Sequence, residues 1–298
     1  MKDGSLALKN PAGKDSHVGR LKSAPSTHGA WKAGKDILIF ILAFVYLVPV
    51  IVLFLTSFKT QIQIMEKGFG WFFMPTLRNY TNVLLEQGFL RYMTNSLIVG
   101  LVSTLFTLII GGLASYALVR FNFFGKGTIS FGTLLLRMIP PAVLVVPIYV
   151  LWSYFGLADT RLGLIIIYVG LNLPFTIWVL ISFISDVPVE MEEAAVVDGC
   201  GPWKIFFRII LPLIKPGLAA AAIFTFRIAW NEFILALVLT NRMTRTLPVA
   251  TTIYMTDTGV EWGNITAMGT LVALPAIIFT FIAAKQLIAG LTAGAVKG

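Results

Sequence analysis

The chain has 298 residues, 57% of them hydrophobic and only 12% charged, with a mean hydropathy of +0.85. That leaves too little polar surface to coat a water-soluble globule of this length, and indicates a multi-pass membrane protein. The net charge of +9 calls for no nucleic-acid partner, because seven of the 23 basic residues fall in the first 35 positions and most others flank apolar runs, where topology and anionic lipid account for them. Cys200 is the single cysteine, which excludes an intrachain disulfide and a cysteine-based metal cluster.

Residues 1–35 are rich in Gly, Ser, Pro and Lys and lack a hydrophobic period, so a disordered basic tail is expected there. A cleaved signal peptide is not expected, since its positive region would be far shorter. The first apolar run, Ile37 to Phe58 within a first transmembrane helix at 36–58, covers roughly 33 Å at about 1.5 Å per residue and reaches across a hydrocarbon core. After an extracytoplasmic segment at 59–91, a core region at 92–290 holds five more spans: Asn95 to Leu118, Thr128 to Phe155, Leu162 to Ile184, Leu213 to Thr240 and Asn264 to Ile288. The expected fold class is an all-α membrane protein with six transmembrane helices.

Four of these spans are interrupted. Arg137, Pro140, Pro141 and Pro147 lie in the third, Asn172 and Pro174 in the fourth, Arg227 and Glu232 in the fifth, Pro275 and Lys285 in the sixth. Lipid satisfies neither a broken backbone nor a charge, so these positions are expected to face other helices or an aqueous path. With the N-terminus inside, the tail, the Arg120 to Lys126 turn, the 185–212 loop and the C-terminal tail at 291–298 lie in the cytoplasm. Together with the adjoining Lys215 and Lys285 they carry 14 Lys and Arg, against seven outside and two within spans, which places both termini in the cytoplasm. The outer aromatics Trp71, Phe72, Phe73 and Trp262 admit two readings, as interface anchors or as contacts for a soluble partner.

Two short helices are expected in the 185–212 loop. The first starts near Pro188, and Glu190, Glu192 and Glu193 complement the positive end of its dipole. Met191, Ala194 and Ala195 are expected to share one face, and Asp198-Gly199 to stop the helix, with glycine supplying positive φ. The second starts near Pro202, places Trp203, Phe206, Phe207 and Ile210 on one face and Lys204 and Arg208 on another, and ends at Leu211-Pro212. Amphipathicity alone leaves two readings open: a linker lying on the membrane surface, or a handle gripped by another protein.

The spacing goes further. Glu193-Ala194-Ala195, three residues, Gly199, nine residues, Ile209, one residue, then Leu211-Pro212 resembles the signature of permease subunits of binding-protein-dependent ATP-binding-cassette (ABC) importers. Ala229-Trp230-Asn231-Glu232-Phe233, Thr246-Leu247-Pro248-Val249 and the terminal Gly290 to Gly298 are similar to the carbohydrate-uptake branch, in particular to the smaller permease of the maltose system. The resemblance implies a type I ABC importer permease fold in a bacterial or archaeal plasma membrane. It also implies that Glu193, Ala194, Ala195, Asp198, Gly199, Ile209, Leu211 and Pro212 couple the subunit to an ABC ATPase dimer. A second permease and an extracytoplasmic sugar-binding protein complete the implied set of partners. No cofactor is expected on this chain; ATP and Mg are expected on the ATPase.

Arg137, Arg227, Trp230, Asn231 and Glu232 are the candidates for a substrate path. A charge at a helix centre costs about 3 kcal/mol on insertion scales. Arg227 and Glu232, five apart, are badly placed for a direct pair, whereas Arg227 and Asn231 are i, i+4 neighbours. These groups either brace the helices or hydrogen-bond sugar hydroxyls, with Trp230 stacking on a sugar face; two arginines on the path would favour an anionic sugar. Enzyme readings find no support. His17 and His28, the only histidines, lie in the tail, and no Gly-x-x-x-x-Gly-Lys-Ser/Thr phosphate loop occurs, so the chain is expected to be a non-catalytic transport subunit. The competing class is a membrane scaffold or receptor with a cytoplasmic docking hairpin.

Overall fold

The computed structural model describes residues 27–67 and 70–295, in two compact units, 1–50 and 51–298. Of the expected tails, 1–35 and 291–298, residues 1–26 and 296–298 lie outside the described residues, while 291–295 continue the last helix. Helix α1, Thr27–Thr56, starts inside the segment expected to be a disordered tail. Its apolar window is Gly34–Thr56, so the polar stretch from Thr27 to Ala33 extends the helix beyond the span.

After α1 come short pieces: α2 (Gln61–Lys67), α3 (Arg78–Thr81) and a π turn over Asn82–Glu86. Asn79 Nδ2 donates to the carbonyls of Ser57 (2.8 Å) and Lys59 (2.9 Å), which ties this segment back to the end of α1. Then come α4 (Phe89–Arg120), α5 (Lys126–Met138), α6 (Pro141–Tyr154) and α7 (Arg161–Ser185). Helices α5 and α6 meet at a 100° bend. Pro140 and Pro141 account for it, since neither can donate and Ile139 before them is pushed to extended backbone.

Helices α4 and α7 form the frame on which the rest packs. One side of α4 is small and polar, with Ser96, Gly100, Ser103, Thr107, Gly111 and Ser115 at helical spacing and all buried. A Cβ on Gly111 would stand 2.7 Å from Thr176 Cγ2 of α7, so glycine is what allows the two backbones so close. Ser115 Oγ, already bonded to its own turn, also lies 3.1 Å from the Ile177 carbonyl across the interface.

The remaining elements are α8 (Glu190–Val197), α9 (Pro202–Ile205), a π turn at Phe206–Ile210, α10 (Leu211–Leu213), α11 (Lys215–Asn231), α12 (Ile234–Leu239), α13 (Leu247–Ala250) and α14 (Trp262–Ala295). A two-residue hairpin, β1 (Met255–Thr256) with β2 (Gly259–Val260), pairs Met255 with Val260 before α14. The expected fifth span is broken at Glu232-Phe233, between α11 and α12. Four described helices are long and apolar enough to cross a membrane, and up to six spans result if each bent pair counts as one.

Candidate functional site: the 185–212 hairpin and the charged groups on the helices

The hairpin is a corner closed by backbone hydrogen bonds. At the end of α8, Cys200 N–H donates to the Ala195 carbonyl and Gly199 N–H to that of Val196, both at 2.9 Å. This doubly bonded terminus requires a left-handed residue between them. Gly199, at φ 75°, supplies it. A side chain there would meet no atom within 4 Å, so the demand for glycine is conformational rather than steric.

The faces of the hairpin differ from the expected ones. Met191 and Ala194 are exposed, and Glu192 and Ala195 form the buried side of α8. The rotation follows from charge: turned this way, the Glu192 carboxylate reaches a cation beneath it, and no gain from burying Met191 matches the cost of stranding that carboxylate. In the second arm, Ile205, Phe206, Ile210 and Ile214 are buried. Trp203 and Phe207 are 67% and 54% exposed and stack on each other at 6.3 Å. The π turn adds a residue to the period, so the buried row steps from Ile205 to Ile210 and a 3.6-residue wheel misassigns both rings. The arm also runs past Leu211-Pro212 and breaks at Ile214, with a 78° bend between it and α11. Ile209 and Leu211 pack against the buried cluster under the hairpin, while Glu193, Ala194, Asp198, Gly199 and Pro212 are exposed.

The group that fixes the hairpin to the bundle did not emerge from the motif. Arg120, the last residue of α4, forms the only salt bridge among the described residues, Nε to Glu192 Oε1 at 2.5 Å, with side chains 12% and 10% exposed. Its Nη2 donates to the carbonyls of Ile184 (3.0 Å) and Val187 (2.7 Å) at the end of α7. Tyr116 Oη donates to the second carboxylate oxygen of Glu192 at 2.8 Å. One guanidinium thus joins the ends of α4 and α7 to α8. The available signal was the single carboxylate at i+2 from Glu190 in a run of acids, which dipole arguments treated as equivalent. A groove of about 600 Å³ opens beside this cluster, lined by Arg120, Val189, Glu193, Val196, Val197 and Pro202 among others.

The candidates for the substrate path separate into two groups. Trp230 is 1% exposed, stacked on Phe226 at 5.5 Å, with its Nε1 3.3 Å from the Val272 carbonyl, so its ring lies inside the subunit and presents no face to a sugar here. Glu232 braces the broken span: its two oxygens accept from Leu235 N (2.8 Å) and Ala236 N (3.0 Å), and Tyr168 Oη donates to it at 2.7 Å. It caps α12 as an acidic N-terminal residue does. Arg137, Arg227 and Asn231 are exposed. Arg137 lies 4.9 Å above the Phe175 ring and Arg227 5.9 Å from that of Phe224, while Asn231 Nδ2 donates to the Arg227 carbonyl at 2.9 Å.

Comparison with known proteins places this architecture. Residues 103–292 match the family described as the binding-protein-dependent transport system inner membrane component. A probable ABC transporter permease of Sinorhizobium fredii is 38% identical over 86% of this chain and 92% of its own length. A diacetylchitobiose uptake permease of Streptomyces coelicolor is 37% identical, over 84% and 91%. Among solved structures, a bacterial ABC transporter that imports the acidic polysaccharide alginate superposes with a TM-score of 0.74 at 21% identity, over 88% of this chain and 98% of the other, and shares the type I importer permease fold. The chain belongs to the family of inner membrane components of binding-protein-dependent transport systems.

Proposed function

We propose that this chain is one of two permease subunits of an ATP-driven importer for a sugar or sugar derivative, with the hairpin at 185–212 receiving the motion of a separate ABC ATPase dimer. The observation that carries the coupling role is the two-sided hairpin. Its under face is fixed to α4 and α7 through Arg120 and Glu192, and its outer edge leaves Glu193, Ala194, Val197 and Asp198 uncovered. A force applied to that edge passes to two spans without first deforming the corner. Diacetylchitobiose and trehalose uptake permeases among the relatives support sugar as the cargo. A structure of the alginate transporter with its oligosaccharide-bound periplasmic protein, of the same fold at a TM-score of 0.63, supports delivery by an extracytoplasmic binding protein.

On this reading there are six spans with both termini cytoplasmic: α1, α4, the bent pair of α5 and α6, α7, α11 continued by α12, and α14. ATP closure of the ATPase dimer draws this hairpin and that of the sister permease together and turns the cavity outward; hydrolysis resets it. ATP and Mg belong to the ATPase, and this chain performs no chemistry. Purification from native membranes tests the proposal: an ATPase and a second permease should accompany the chain at fixed stoichiometry. Proteoliposomes of that complex should take up sugar only with ATP and the binding protein present. A chain that purifies alone would return it to the scaffold or receptor class, and uptake indifferent to nucleotide would make it a carrier with no need of an ATPase.

A further inference from the structure

One face of the bundle carries a row of alternating cations and rings that the hairpin does not explain. Arg137, at the end of α5, sits on Phe175 of α7; Phe175 meets Phe224 of α11 edge to face at 5.7 Å; and Arg227, one turn beyond Phe224, lies near that ring. A buried hydrogen bond between Thr176 and Thr225 hydroxyls, 3.1 Å long, holds α7 and α11 side by side at this level. Trp178, one turn from Phe175 on α7, is 51% exposed. Among the described residues, neither guanidinium meets a carboxylate or donates a hydrogen bond from its side chain.

Two arginines on apolar helices, Arg137 in the last turn of α5 and Arg227 in the C-terminal half of α11, exposed and without anionic partners among the described residues, are costly to leave against lipid. Their ring contacts support the cations only in part and leave the N–H forks free. A guanidinium fork matches a carboxylate in a bidentate pair, and flat aromatic faces accept the C–H face of a pyranose. We propose that Arg137 and Arg227, with Phe175, Phe224 and Trp178, form a subsite of the transport path for a carboxylated sugar, a uronate oligosaccharide rather than a neutral one. This rests on the permease reading and adds the charge of the cargo to it.

The test uses the whole importer, with both permeases and the ATPase, in nanodiscs without the binding protein, so that the soluble protein's own selectivity does not enter. The probes are a fluorescent uronate tetrasaccharide and its carboxyl-reduced neutral counterpart. The wild type should bind the uronate at least about tenfold more tightly, with a preference that shrinks as salt rises. Arg137→Gln and Arg227→Gln should each remove most of that preference, weakening uronate binding far more than neutral binding, and the lysine variants should keep part of it, charge without the fork. Equal binding of both probes by the wild type, or glutamine variants that keep the full preference, would overturn the subsite. So would glutamine variants that lose the second permease on purification, since the arginines would then serve subunit contact. In proteoliposomes supplied with the binding protein, continued ATP-driven uptake of a neutral sugar in such a case leaves the permease standing, whereas a wild-type complex with no ATP-dependent uptake of any sugar defeats the permease reading itself.

Discussion

Arg120 and Glu192 are worth more than a surface pair because neither is free to return to water; removing one strands the other. Breaking a buried pair from one side costs about 3–5 kcal/mol, so Arg120→Met should lower the melting temperature of the purified complex markedly and abolish ATP-driven uptake. Glu192→Gln should do less harm, because the amide oxygen still accepts from Tyr116 or from the guanidinium. Equal thermal shifts for the two variants would show that charge, not hydrogen bonding, dominates the contact. Tyr254 makes the opposite case. Its side chain is 2% exposed and its hydroxyl has no partner among the described residues, and burial pushes the phenol well above its ordinary range, so it stays neutral at any physiological pH. An unpaired buried hydroxyl costs about 1–3 kcal/mol. Tyr254→Phe should therefore leave the melting temperature unchanged or raise it, and a clear fall would reveal a partner that the described contacts lack.

At the level of elements, the corner of the hairpin and the break in the fifth span are both built from local chemistry that a sequence displays only in part. Gly199 was legible, because Asp-Gly after a short acidic helix has few other uses, and its positive φ follows. Moving it to a β-branched residue costs about 1–2 kcal/mol of backbone strain with no clash, too little to prevent insertion. Gly199→Val should thus assemble and hydrolyse ATP, yet lose uptake per ATP hydrolysed, and normal coupling in that variant would separate the corner from energy transfer. The faces of the two hairpin arms were not legible. Hydrophobic periodicity assumes a regular helix and apolar burial, and here a π turn changed the period while Glu192 displaced Met191 from the inside. Glu232 looked like a costly intramembrane charge; it is the cap of α12, invisible until the chain breaks at Phe233. Glu232→Ala removes both of those backbone contacts and the Tyr168 bond, and a cap alone is worth about 1 kcal/mol. A thermal shift in detergent should register the loss, and Glu232→Asp should retain part of it.

Across the whole molecule, spans were legible because lipid allows so few solutions: long apolar runs must be helices, and their lengths follow from bilayer thickness. What escaped is how they meet. The small polar stripe of α4 reads as weak hydropathy until Gly111 and Ser115 are seen against α7, and a pair of prolines announces a kink without announcing 100°. Orientation rests on a statistical charge bias, half of which comes from the first 35 residues, so it calls for a direct measurement. Thr258, exposed in the turn between β1 and β2, and Lys204, exposed on the second arm of the hairpin, belong to opposite sides if both termini are cytoplasmic. In a Cys200→Ser background, a membrane-impermeant maleimide should label Thr258→Cys in intact cells and Lys204→Cys only after permeabilisation. The reverse pattern would invert the subunit and put the hairpin out of reach of any cytoplasmic ATPase. Labelling of both only after permeabilisation would mean that α11 and α12 turn back without crossing, which changes the number of spans and leaves the hairpin geometry intact.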